Sequence, residues 1–559
     1  MNGVARRTLL TRTAAIAGAS AAAVALEVPP DAAASASPAS ANPIADADGT
    51  IAPDDPRYPL LRTGNNQRFV ATPEYFRMIR GTEDALAAVS AAAAAGKRIS
   101  VRSGGHCFAD FTCRDDVEVL LDCSEMTEVT FDRSMNAFSV QPGARLVNVY
   151  EALYKGWGVT VPGGICYSVG AGGHIAGGGY GLLSRAHGLV VDHLYAVEVV
   201  VVDEHRKART VVATREPDDP NRELWWAHAG GGGGNFGLVT RYWFRSPGAT
   251  GSDPRALLVN PPPEVLVSAV SFPWEGLSEQ QFSRLLLNFG AWHEANSAPD
   301  SPYTALSSLF NTCHAAHGSL DMFTQVDASV PNAEGLLADY LAAITAGTGL
   351  TPTAVVNGSG EIPAAPELAT PARLPWLQAT RLVGTNNPTI TNPTSRGAHK
   401  SAYMRKNFTP EQVAVMYKHL TGRDYWNPNT MIVLFSFGGQ VNAASPDATA
   451  NAQRDAVFKM CFQTFWPAAS GDPVALGWAR GIYEDFFART GGVPVPNDRQ
   501  DGCYINYPDV DVSDPAHNTS GVPWSTLYYK ENYPRLQRVK AVWDPTDYFH
   551  HPMSVALPR

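Results

Sequence analysis

Three glycine-dense stretches constrain this chain more than anything else in it: "RSGGHCF" at 102–108, "GGICYSVGAGGHIAGGGYG" at 163–181 and "HAGGGGGNFGLVT" at 228–240. Glycine permits backbone conformations and close approaches that a side chain forbids. Successive N–H groups in such loops form anion-binding nests suited to a pyrophosphate. One such loop would read equally well as a tight turn. Three together imply a large, phosphate-bearing cofactor lying along the backbone. The strand–GxGxxG–helix context and the later acidic residue of a Rossmann fingerprint are missing. Two of the loops also carry a nucleophile, His106 and Cys166.

The flanking elements give an α+β reading. "TEDALAAVSAAAAAG" predicts a helix with Thr82 as its cap, Glu83 and Asp84 at its positive end and Gly96 as its stop. "KRISVRSGG", "VEVLLDCSEM" and "AFSVQPG" read as strands, and "RLVNVYEALYKGWG" as a helix ending at glycine. "HLYAVEVVVVDEHRKARTVVAT" reads as strand, turn and strand. Composition shifts at "SPGATGSDPRALLVNPPPE", a domain boundary. Beyond it, helical patterns ("SEQQFSRLLLNFGAWHEA", "NAEGLLADYLAAITAG") alternate with apolar runs such as "NTMIVLFSFGG". Residues 352–400 read as a long irregular segment, a lid or channel wall. The expected organisation is a leader over 1–45, a cofactor-binding domain over 60–250, a substrate domain over 255–500, and a tail over 501–559 that returns to the cofactor domain.

A net charge of −10 and a pI near 5.8 argue against a nucleic-acid partner. The start, "ARRTLLTRTAAIAGASAAAVALEVPP", places Arg6 and Arg7 before an Ala-rich stretch and small residues, as in a twin-arginine export signal. An ordinary N-terminal helix is the alternative. Such signals carry proteins that fold around a cofactor before export, so the expectation is a secreted chain with no membrane anchor after cleavage. Of seven cysteines none forms a CxxC, which disfavours structural zinc, and no metal site is expected. Cys107 and Cys113 are close enough for a local bridge that sequence cannot decide.

The motifs "RSGGHCF", "GGICYSVGAGGHIAGGGYGLLSR" and the tail "YYKENYPRLQRVKAVWDPTDYFHHP" together resemble the berberine-bridge-enzyme-like FAD-linked oxidases of the vanillyl-alcohol-oxidase (PCMH-type) superfamily. The likeness extends to secreted bacterial antibiotic-tailoring and carbohydrate oxidases. It covers about 65–250 and 500–559. It implies a two-subdomain FAD-binding domain joined to a substrate domain of antiparallel sheet and helices. It also implies that His106 bonds to the 8α carbon of FAD and Cys166 to the 6-position carbon. Imidazole and thiolate are nucleophiles, and oxidised flavin is an electrophile at both carbons. By the same resemblance Ser103, Gly104 and Gly105 face the pyrophosphate, and Gly170, Gly172, Gly173 and Gly177 line the flavin. Val239 lies toward the adenine, while Tyr529 and Asn532 lie against the cofactor. Val169 occupies the position that gates oxygen, where a small residue goes with oxidases.

On the substrate side, the family's base is a tyrosine in a Y-x-x-Y strand, which "CYINYPDVDV" matches with Tyr504 and Tyr507, the latter as base. Tyrosine ordinarily titrates near ~10, so it needs help to take a proton. Sugar oxidases of the family supply a carboxylate before a Gly-Gly, and an antibiotic-tailoring relative a second tyrosine. In "IVLFSFGGQ" that position is Phe435, which can do neither. The cationic flavin attachment, Tyr180, or Lys400 and Arg405 are the candidates left to lower the pKa of Tyr507, with Tyr180 equally an aromatic wall. The expected activity is oxidation of an alcohol carbon of a glycoside or secondary metabolite, with O2 as acceptor and H2O2 as product. Oxidative cyclisation is a second enzymatic reading, and a flavin-bearing binding protein with little turnover a third.

Overall fold

In the computed structural model, residues 49–385 and 392–559 are described. The twin-arginine leader therefore lies outside the described residues. Two sheets carry the first half of the chain. The smaller has the order Thr50–Ile51, Tyr75–Met78, Val119–Asp122, Ile99–Arg102, with the last three strands parallel. The second is antiparallel, in the order Val129–Asp132, Ala137–Val140, Leu238–Phe244, Leu194–Val202, Ala208–Thr214.

The second half builds an eight-stranded antiparallel sheet. Its central strands, Leu306–Cys313, Thr430–Ser436 and Phe458–Trp466, are buried along their whole length. That is why "NTMIVLFSFGG" reads as a continuous apolar run rather than an alternating one. In Phe458–Trp466 one row packs on helices: Phe462 meets Tyr483 and Phe486, and Phe458 meets Phe408. The alternate row, Lys459, Cys461 and Gln463, points to the other side. The helix Glu279–Ala295 covers the sheet and starts at Ser278, whose side chain accepts from Gln281 N in a capping box.

Three local expectations change. The helix Thr82–Ala94 is capped by Gly81, and the Thr82 hydroxyl instead donates to Glu198 Oε1 at 2.5 Å. Gly96 does end it, with φ +68°. The segment 352–400 is not structureless: it holds the strands Thr353–Ala354 and Ala372–Pro375 and the helix Trp376–Thr385, with Trp376 against Tyr150 and Tyr154. The change of sheet near 246–263 is no free linker, since Thr160 N donates to Val259 O at 2.7 Å. All seven cysteines are free thiols, Cys107 and Cys113 included. No helix among the described residues is long and apolar enough to cross a membrane.

Candidate active site

The strand Ile99–Arg102 runs directly into Ser103–Gly104–Gly105–His106. This loop lies on the second glycine loop, backbone against backbone. A Cβ on Gly104 would stand 2.3 Å from Gly170 N, and one on Gly170 2.2 Å from Ser103 Oγ. Ser103 Oγ donates to Pro142 O at 2.6 Å, fixing the turn. The contact brings the two nucleophiles together around one hydroxyl: Ser168 Oγ is 3.1 Å from His106 Nε2 and 3.8 Å from Cys166 Sγ. Burial, with Arg145 nearby, pulls the His106 imidazole down to about 4, so it is neutral and keeps a free lone pair. Burial pushes Cys166 up to about 11, so the structure holds it as thiol rather than the expected thiolate.

A cavity runs from these loops to the eight-stranded sheet. Ser103, Gly104, Gly105, His106, Cys166, Val169, Gly170, Gly172, Gly173, Val239, Tyr180, Tyr504 and Tyr507 all line it. Gly173 is a cradle: a Cβ there would meet no protein atom within 4 Å. The third loop adds Gly232, Gly233, Gly234 and Gly237. An FAD-sized ligand fits this surface, with bare glycine backbone along one wall and a neutral imidazole and a thiol together at one place. Three expected contacts are not on the wall. Gly177 packs on Asn506, where a Cβ would come within 2.1 Å of Oδ1. Tyr529 donates to Gly231 O at 2.9 Å, and Asn532 donates to Pro446 O at 2.8 Å. Both fasten the third loop and its neighbours from behind.

At the sheet end, Tyr180 Oη and Tyr507 Oη are 2.7 Å apart, from positions 327 residues apart in sequence. The two phenols share one hydrogen bond; with Tyr180 as its donor, the ionised form of Tyr507 is favoured and that of Tyr180 disfavoured. Tyr504 is occupied otherwise: its oxygen accepts from Gly179 N and Asn506 Nδ2, each at 3.0 Å. Phe435 packs edge-on against Tyr180.

Lys459 was not legible in the sequence. It is the cross-strand neighbour of Phe435. Its Nζ lies 3.3 Å from the ring centre of Tyr504, 3.7 Å from that of Tyr180 and 4.3 Å from that of Tyr507. It is fully buried, and its Nζ has no hydrogen-bond partner among the described residues. Burial pulls its pKa well below the usual lysine range. The cations expected from sequence are committed elsewhere: Lys400 to Asp509 and Asp511, Arg405 to Asp455 and Asp501. Nor is Tyr507 depressed as expected; burial pushes it well above the usual tyrosine range. The one other residue of note missed from sequence is Glu361, the only acidic side chain lining the cavity among the described residues. A trio of possible metal donors, Cys313, His317 and Asp321, lies off the cavity, with Asp321 already accepting from Ser271, Ser319 and His317.

Residues 73–206 match the FAD binding domain family and 503–556 the family "Berberine and berberine like". The chain is 49% identical to the aclacinomycin-N/aclacinomycin-A oxidase of Streptomyces galilaeus, across 90% of this chain and 89% of that protein. Hexose oxidase of Chondrus crispus is 31% identical across 91% and 94%. Among solved structures, CrmK, a flavoenzyme of caerulomycin biosynthesis, superposes with a TM-score of 0.86 at 46% identity, over 91% of this chain and 99% of that one.

Proposed function

The chain belongs to the berberine-bridge-enzyme-like FAD-linked oxidoreductases, and from that premise we propose that it is an exported oxidase of an alcohol carbon in a glycoside or secondary metabolite, with FAD bound covalently through His106 and Cys166. The observation that carries the reading is the meeting of these two nucleophiles at Ser168, on a glycine cradle that opens toward a tyrosine pair. Support for the substrate class comes from relatives named as oxidases of aclacinomycin and of hexose. Bound there, FAD supplies the acceptor for a hydride and, on reoxidation by O2, yields H2O2.

The chain's own residues do the rest. Tyr507, as the phenolate, takes the alcohol proton, and Tyr180 donates to the Tyr507 oxygen and so steadies the negative charge it carries until then. Lys459 faces the same ring, where an ammonium would stabilise a phenolate. Either charge alone is disfavoured by burial; formed together they offset each other. Phe108, stacked on His399 and Tyr507, helps to close the pocket to water. Export rests on Arg6 and Arg7: Arg6→Lys with Arg7→Lys should hold the protein in the cytoplasm, and unchanged secretion would remove that part of the reading. The activity is tested by peroxide release over a panel of sugars, glycosides and aromatic alcohols, with Tyr507→Phe as control. A panel in which no member reduces the bound flavin would overturn it.

A further inference from the structure

Glu361 has no role in the chemistry above, yet it is held with unusual firmness for a loop residue. Ser359 and Ile362 exchange two backbone hydrogen bonds across it, at 2.9 and 2.8 Å. Asn311 Nδ2 donates to Ser359 O at 2.6 Å. Gly360 has φ +49°, and a Cβ there would stand 2.7 Å from Met431 Sδ. The turn is thus pressed onto the eight-stranded sheet, and its carboxyl lines the same cavity as Tyr180, Phe435 and Tyr507. The residue is 7% exposed, and its Oε2 has no hydrogen-bond partner among the described residues.

An unpaired buried carboxyl oxygen is costly unless a donor meets it. Among the described residues no cation pairs with it. The groups on which its charge acts are Cys166, Cys313, Cys461 and Tyr507, all of them thiols or a phenol. Lys459 sits among tyrosine rings instead. With no other acid among the described residues lining the cavity, the ionised carboxyl is a lone negative charge inside it.

Resting on the reading of this cavity as the site of oxidation, we propose that Glu361 receives a protonated amine carried by the substrate, so that the enzyme selects amino-substituted glycosides or other amine-bearing alcohols over their hydroxyl counterparts. An ammonium would give the carboxylate both the hydrogen bond and the opposite charge it lacks. Burial pushes the Glu361 carboxyl up to about 7. That is the signature of a charge waiting for a partner rather than one already paired.

The test uses flavin-loaded protein and two probes, 4-nitrophenyl 2-amino-2-deoxy-β-glucoside and 4-nitrophenyl β-glucoside, with binding followed by calorimetry. Wild type should bind the amine at least about tenfold more tightly, the scale of one hydrogen bond to a charged group. Glu361→Gln should bring the two within about twofold while leaving flavin content unchanged, and Glu361→Asp should keep a preference for the amine. Equal binding in wild type, no binding of either probe, or a preference that survives Glu361→Gln overturns the proposal. The underlying reading fails separately: if neutral alcohols bleach the flavin but no amine preference exists, only the Glu361 proposal falls. If the amine binds through Glu361 but nothing reduces the flavin, the oxidase reading falls and the carboxylate site stands.

Discussion

At the glycine end of the cavity, a methyl group on Gly170 would strike Ser103 Oγ at 2.2 Å; at the tyrosine end, Lys459 Nζ and Glu361 Oε2 are both buried with no hydrogen-bond partner. The first end is finished by packing. Its loops close on each other, its nucleophiles are uncharged, and what remains open is the cradle beside Gly173. The second end is left open by the described residues. It holds a lysine amine among aromatic faces and a carboxyl with no counter-ion among the described residues. A permanently held cofactor suits complete, rigid backbone packing. Charge that develops only during turnover suits groups whose electrostatics are resolved only then.

The largest effect should come from removing both nucleophiles. His106→Ala with Cys166→Ala should lose every covalent link, so acid precipitation leaves the protein colourless, whereas wild type keeps its yellow colour. Each single variant should retain one link. If wild type releases all its flavin, the glycine end is a binding cradle only, and the contrast of a permanent with a transient occupant breaks.

Next comes Tyr507→Phe. It deletes one oxygen and keeps the ring, so folding and flavin attachment should survive while flavin reduction falls by about 10²–10⁴-fold. The sign with pH follows from which form is the base. The phenolate takes the proton, and burial holds the phenol above its usual range. The wild-type rate should therefore climb with pH through neutrality without levelling off, and the variant should be flat. Reduction within about threefold of wild type would move the base to Tyr180 or Tyr504.

How much of this could be read from the residues alone follows the same division. The glycine end was legible because its chemistry is local: Ser103 through His106 are contiguous, and glycine there answers to a backbone contact that few other residues tolerate. The strands and helices around it were legible from period and caps, apart from Thr82, where a tertiary bond to Glu198 displaced the local cap. The tyrosine end was legible only in part. Tyr180 and Tyr507 are 327 residues apart, and Lys459 enters through its register with Phe435. A lysine in "FKMCFQTFW" signals nothing until the strand's neighbours are known; its being the one charge in a largely apolar strand was the available clue. Glu361 lay in a stretch read as irregular, where no periodicity marks which side chain turns inward.

Lys459→Met sharpens the tyrosine end further. Methionine fills similar volume without charge. A desolvated cation–π contact of ~2 kcal/mol corresponds to about a 30-fold loss in flavin reduction. Because the lost cation favoured the phenolate, the climb of rate with pH should shift to higher pH. A rate within about threefold of wild type all along the climb with pH would make Lys459 a packing residue.

The smallest expected effect lies where the two ends meet. Val169 is half-buried and lines the cavity, and its backbone is tied down on both sides: its N–H donates to Cys166 O at 3.2 Å and its carbonyl accepts from Leu146 N at 3.0 Å. Val169→Leu therefore cannot relax by moving the chain, and the added methylene must extend into the cavity. One methylene in a tight pocket is worth on the order of tenfold. If Val169 controls the approach of O2, that factor should fall on reoxidation, measured by mixing the reduced enzyme with oxygenated buffer. Flavin reduction, which depends on the Tyr180–Tyr507 pair, should stay within about twofold. Equal slowing of the two half-reactions would show that the extra bulk disturbs the shared cavity as a whole. Val169 would then belong with the packed glycine end and have no separate hold on the oxidant.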